Sequence, residues 1–253
     1  MIPFFVFGVQ HLVLGRFVTR LALALPAWIP APTALAYAAG AALVAASVAL
    51  VMDSRRARGI AIVLGLAILL SFVVTHTPRL MAAPRSTTVW LQALKCLTLA
   101  SGAFALAATA RRRNRATTNG TKSSFPSDRV LLVVVCAIMG AYLIYCGYLH
   151  LRAPVSVSRL VPSWIPGGPG WVVFTGLALV LGGFGCWLPF VRRLAAALTS
   201  LMIFMWVLML HLPPALAIRD AGSTTVVFEA LAFSGLALLI AATTPGKNAG
   251  KSE

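Results

Sequence analysis

The sequence predicts an all-α polytopic membrane protein with about eight transmembrane helices arranged as two tandem four-helix bundles. Three observations predict it. Of the 253 residues, 60% are hydrophobic and only 10% charged, with a mean hydropathy of +0.92, whereas soluble domains carry about a quarter charged residues. The apolar residues form long runs separated by short basic clusters. The same marks also occur twice in the same order: Gly8-x-x-His11 and Gly147-x-x-His150, Leu25-Pro26-Ala27-Trp28-Ile29-Pro30 and Val161-Pro162-Ser163-Trp164-Ile165-Pro166, His76-Thr77-Pro78 and His211-Leu212-Pro213, Ser86-Thr87-Thr88-Val89 and Ser223-Thr224-Thr225-Val226. His11 and His150 are 139 residues apart, Trp28 and Trp164 are 136 apart, and His76 and His211 are 135 apart. A nearly constant offset along the whole chain is the mark of a tandem duplication.

A helix needs about 20 apolar residues to cross about 30 Å of hydrocarbon. The candidate spans run Ile2 to Leu14, Thr33 to Met52, Gly59 to Thr75, Thr88 to Ala110, Val130 to Leu151, Trp171 to Phe190, Leu194 to Leu212 and Thr224 to Ala242. The first is short, which suggests a start further upstream or a partial span completed by its neighbours. The second copy has about twice as many residues before its first histidine. Residues 1–110 make the first bundle, 111–129 a polar, basic, flexible linker, 130–245 the second bundle and 246–253 a tail. Gly40 and Gly176, at matched places, and Gly182, Gly183 and Gly185 would let helix backbones approach closely.

Net charge is +16. The basic residues sit between apolar runs rather than in one patch, so the charge is topological and nucleic acid is not a partner. With the N-terminus inside, thirteen Lys and Arg fall in inner segments, including Arg111, Arg112, Arg113 and Arg115, and seven in outer ones. The positive-inside rule then puts both termini in the cytoplasm of a cell, or inner, membrane and the linker with them. Each copy has an even number of spans, so the second enters the membrane the same way round as the first, which is not the inverted repeat of many transporters. Cys96, Cys136, Cys146 and Cys186 lie in apolar runs without C-x-x-C spacing, so a zinc site or disulfide framework is not indicated.

All four histidines, His11, His76, His150 and His211, are expected at the outer ends of their helices. The glycine one turn before His11 and His150 clears space beside the imidazole for a helix or a ligand. The proline two residues after His76 and His211 is expected to end the helix and hold each ring at a helix C-terminus, where a protonated imidazole is favoured. Each imidazole then either bonds freed backbone and closes its bundle or lines a binding pocket. An axial haem reading is weaker, because Cys, Asp and Glu do not gather around the histidines. Trp28 and Trp164 are either headgroup-level anchors or short re-entrant lids over a cavity between the histidines. Ionisable groups inside spans are costly and are paired or functional. Glu229 and Lys95 are those groups, and Gln92 stands where the first copy would carry the glutamate. A Glu229–His211 contact echoed by Gln92–His76 is the preferred geometry, with a Glu229–Lys95 pair across the copies as its rival. If one copy is active, the second is favoured.

The G-x-x-H, P-x-W-I-P, aromatic-T-G and H-x-P marks resemble the DoxX-like family of small four-helix membrane proteins. The second copy is the closer match, through Gly147, His150, Val161 to Gly167, Phe174-Thr175-Gly176, Arg193-Leu194-Ala195 and His211-Leu212-Pro213. The first departs at Tyr37-Ala38-Ala39-Gly40 and at its start. The resemblance implies a membrane bundle close to quinone chemistry. Three functions stay open: a redox accessory binding a quinone headgroup near His150, Trp164, His211 and Glu229; a small-molecule permease; and a scaffold that docks a membrane partner.

Overall fold

The computed structural model describes residues 1–18, 28–52, 56–117 and 126–244. The expected Pro26 and Ala27, Arg20, Arg55, Lys122, Lys247, Lys251 and the 246–253 tail lie outside the described residues, as do the side chains of the Arg111 to Arg115 cluster. The helices are α1 Ile2–Leu14, α2 Pro32–Met52, α3 Ala57–Ala82, α4 Thr87–Thr117, α5 Pro126–Arg152, α6 Pro154–Ser158, α7 Gly168–Trp187, α8 Arg192–Ile218 and α9 Ala221–Thr243. No strand occurs among the described residues. Seven of the helices are long and apolar enough to cross a membrane, while α1 has 13 residues. The chain is an all-α multi-pass membrane protein.

Local chemistry sets the ends. Gly15 takes φ 61°, a left-handed backbone that glycine adopts without penalty, and its N–H bonds the His11 carbonyl to stop α1. Asp220 starts α9 by accepting from the Ser223 N–H at 2.6 Å, as an N-cap carboxylate does. The linker expected over 111–129 is helical at both ends, and 118–125 lie outside the described residues. Its basic start continues α4 to Thr117, and α5 begins at Pro126, since Arg and Ala are strong helix formers even without an apolar face.

The expectation that Pro78 and Pro213 end their helices is corrected. In α3 the N–H of Thr77 bonds the Phe72 carbonyl five residues back, and in α8 the N–H of Leu212 bonds that of Val207. Each is a single π-turn, over Phe72–His76 and Val207–His211, after which the helix resumes. The ladder slips by one residue just where proline has no N–H to give, which is how a membrane helix keeps its backbone satisfied through a proline. His76 and His211 therefore sit in mid-helix π-turns and not at C-termini.

Packing rests on glycine. A Cβ on Gly8 would lie 2.7 Å from the Gly40 carbonyl oxygen, and one on Gly147 would lie 2.6 Å from that of Gly176. Thus α1 crosses α2, and α5 crosses α7, backbone to backbone. Gly140 and Gly183 make a second such crossing of α5 with α7. Gly182 and Gly185 give α8 its approach, because a Cβ there would strike Thr199 and Ala195. Two apolar clusters result. One is built on α5, α7, α8 and α9 and the other on α1, α2 and α3, with α4 feeding both through Leu99 and Ala105 on one side and Ala103 and Ala107 on the other.

Polar cross-links between helices are few. Ser200 Oγ donates to the Ser234 carbonyl and Ser234 Oγ to the Ser200 carbonyl, each at 2.9 Å, tying α8 to α9. Ser234→Ala is expected to cost about 0.6–1.7 kcal/mol of unfolding free energy in detergent, the usual worth of a hydrogen bond between membrane helices. Gln10 of α1 clasps α9: its Nε2 donates to the Ala221 carbonyl at 3.0 Å, and the Thr225 hydroxyl donates to its Oε1 at 3.0 Å. Tyr145 of α5 likewise donates to the Thr87 carbonyl at the start of α4.

Candidate functional site

A cluster of ionisable groups lies between α4, α5, α8 and α9. Lys95 of α4 and Glu229 of α9 form an ion pair at 2.9 Å. Lys95 is one-fifth exposed and Glu229 almost fully buried. The expected Glu229–His211 contact is corrected: the carboxylate's hydrogen bond goes to Lys95, because the long lysine stem reaches from α4 into the gap that α9 faces. Glu229 Oε1 has no hydrogen-bond partner among the described residues. A half-satisfied buried carboxylate is costly, so this oxygen calls for a partner beyond the described residues.

The Nδ1 of His150 is 2.8 Å from the Cys146 carbonyl. A carbonyl only accepts, so Nδ1 carries the proton and Nε2 is left as an acceptor. His11 repeats this in the first part of the chain, with its Nδ1 on the Phe7 carbonyl one turn back. In both cases the histidine Cβ packs at the bare Cα of the facing glycine, 3.0 Å from where a Cβ of Gly40 or Gly176 would stand. The glycines of the G-x-x-H marks thus admit a helix, and the glycines opposite admit the histidines.

A cavity of about 200 Å³ brings these groups together. Lys95, Glu229, His150 and His211 line it, joined by Tyr142, Cys146, Trp206 and Phe233. Trp206 stacks on His150 at 6.0 Å with the planes 15° apart, holding the ring in place. Four of the sequence candidates therefore converge, and one of them, Lys95, comes from the first part of the chain.

The other candidates do not join them. Trp28 and Trp164 are 73% and 68% exposed and are not among the residues lining the His150 or His11 cavities, which favours the anchor reading over the lid. Gln92 is half-buried and does not bond His76. His76 is 1% exposed, stacks on Phe72 at 5.7 Å, and has both ring nitrogens without hydrogen-bond partners among the described residues. His11 is buried against the edge of Phe17 and lines a different, larger cavity. Sequence reasoning missed Trp206, Tyr142 and Cys146. A signal for Trp206 was present: at the offset that relates His76 to His211, tryptophan stands where the first copy has Ser71.

A family model for a domain of unknown function (DUF8561) matches residues 139–243. That stretch runs from the middle of α5 to the end of α9 and holds His150, His211 and Glu229 but not Lys95. No curated protein and no solved structure matches the chain.

Proposed function

We propose that the protein is a quinone-linked membrane subunit of two fused DoxX-like bundles, with a headgroup site in the second completed by Lys95 of the first. The observation that carries the reading is Glu229, whose Oε1 is buried without a hydrogen-bond partner among the described residues, lining one cavity with His150, whose Nδ1 is held by the Cys146 carbonyl. A quinol presents two hydroxyl donors and gives up protons on oxidation, and these are two acceptors suited to it. Lys95 occupies the other oxygen of Glu229, Trp206 fixes the His150 ring, and Phe233 and Leu143 supply apolar walls. The cavity is the size of a headgroup, so an isoprenoid tail would extend into the surrounding lipid.

Several repeated details support duplication: the Gly8–Gly40 and Gly147–Gly176 crossings, the Nδ1 bonds of His11 and His150, and the π-turns before Pro78 and Pro213. So does a family model that covers the second copy alone. The positive-inside rule orients the histidine ends outward, with both termini and the α4–α5 connection in the cytoplasm of the cell membrane.

Titrating the purified protein with a short-chain benzoquinol, followed by quenching of Trp206 fluorescence, tests the binding. Saturable quenching is expected, weakened about tenfold by His150→Ala, since a lost buried hydrogen bond is worth about 1–3 kcal/mol. Trp164→Phe should leave the affinity unchanged. Non-saturable quenching, or full affinity in His150→Ala, would remove the reading.

A further inference from the structure

The first part of the chain holds a second, half-open cavity, about 810 Å³, between α1, α2, α3 and α4. Its walls are apolar, with Phe4 and Phe7 from α1, Leu43 from α2, and Ile60 and Leu64 from α3. One end is marked by Arg56 and Arg58, the other by His11 and Ser71. The corresponding residues further along the chain, among them Leu143, Cys146, His150, Leu179 and Trp206, line the smaller cavity of about 200 Å³, and the reason is in the side chains. At the spacing that relates His76 to His211, Gly59, Ala67 and Ser71 correspond to Leu194, Met202 and Trp206. In the second copy Trp206 lies on His150, whereas in the first Ser71 leaves that volume open beside His11.

We propose that this groove is a binding site for one anionic phospholipid, with its phosphate at Arg56 and Arg58 and its acyl chains along the apolar walls. Charge selects the occupant. Two guanidiniums at the mouth of an apolar cleft complement a phosphodiester, and an arginine that already has a partner in the chain still offers further N–H donors in a geometry suited to phosphate oxygens. Length agrees. From Arg58 to Ser71 the helix rises roughly 20 Å at about 1.5 Å per residue, slightly more than the roughly 15 Å of one leaflet of a hydrocarbon core about 30 Å thick. The groove therefore takes the chains of a single lipid from the arginine side and ends where His11 and Ser71 turn it polar. Its volume falls within the range of about 300–1,000 Å³ of dedicated ligand pockets. This site is separate from the proposed quinol cavity and does not depend on it.

The test is native mass spectrometry of the full chain released from bilayers of equal phosphatidylglycerol and phosphatidylethanolamine. One retained phosphatidylglycerol per chain is expected, with at least a tenfold preference over phosphatidylethanolamine. Arg56→Gln with Arg58→Gln should equalise the two lipids, and Ala67→Met with Ser71→Trp, which rebuilds the filled face of the second copy, should abolish retention. The filled variant's helix content and thermal midpoint show that it has folded, and the arginine variants carry the test independently if it has not. Equal retention of both lipids by the unaltered chain, unchanged retention in the folded filled variant, or a neutral isoprenoid lipid in place of the phospholipid would each overturn the proposal. Quinol quenching of Trp206 is read in parallel and should be untouched by these changes.

Discussion

Glu229→Leu is expected to destabilise the protein by about 3–5 kcal/mol. The substitution leaves the Lys95 ammonium unpaired in an apolar interior where its one hydrogen-bonded anion was 2.9 Å away. An uncompensated charge in such surroundings costs more than the ion pair contributes, because the two desolvation penalties were offset only by each other. The same reasoning makes the double variant informative. Lys95→Met combined with Glu229→Leu removes both charges and should lie within about 1 kcal/mol of the parent or above it. Unfolding in detergent monitored by helical ellipticity measures all three. Additive losses in the double variant would mean that Lys95 and Glu229 act separately and that the pair does not join the two parts of the chain.

The second large effect is at the glycine crossings. Gly147→Ala is expected to cost about 1–3 kcal/mol, the usual penalty of overpacking, and Gly147→Leu to prevent folding. The added Cβ would stand 2.6 Å from both the Gly176 carbonyl oxygen and a methyl of Val180. Backbone cannot move aside as a flexible side-chain tip can. Gly235→Ala provides the contrast. It lies in α9 with nothing within 4 Å of the new methyl, so it should be neutral or gain up to about 1 kcal/mol from helix propensity. Thermal midpoints of the two alanine variants, side by side, separate close backbone approach from the general cost of altering a glycine. Equal midpoints would show that the α5–α7 crossing can open without loss.

The spans were legible because apolar runs of that length, following one another with few charges, are compatible with little besides a bilayer. The histidines were found because their spacing repeats. What the sequence hid was the local backbone and the reach of side chains. His-x-Pro read as a helix stop, since proline forbids the regular ladder, but a one-residue π slip lets α3 and α8 run on for another turn or more. Glu229 had two candidate partners, His211 by depth and Lys95 as the rival, and the bridge runs to Lys95 because α4 packs between the two clusters, a fact of tertiary arrangement. Trp28 and Trp164 carried two readings, anchor or lid, and only their exposure favours the anchor, because a stiff loop says little about where it points. Trp206 was legible only by comparing the two copies position by position, where Ser71 and Trp206 mark the difference between an open and a filled cavity.

Photolabelling with an azido-benzoquinol, followed by peptide mapping, decides whether a quinol headgroup sits between His150 and Glu229. Label is expected on the α5 segment around Cys146 to His150 and on the α9 segment around Val226 to Phe233, competed by unlabelled quinol and lost in His150→Ala. Label confined to exposed residues such as Phe174 or Leu181, or label that excess quinol does not displace, would contradict a quinol site there.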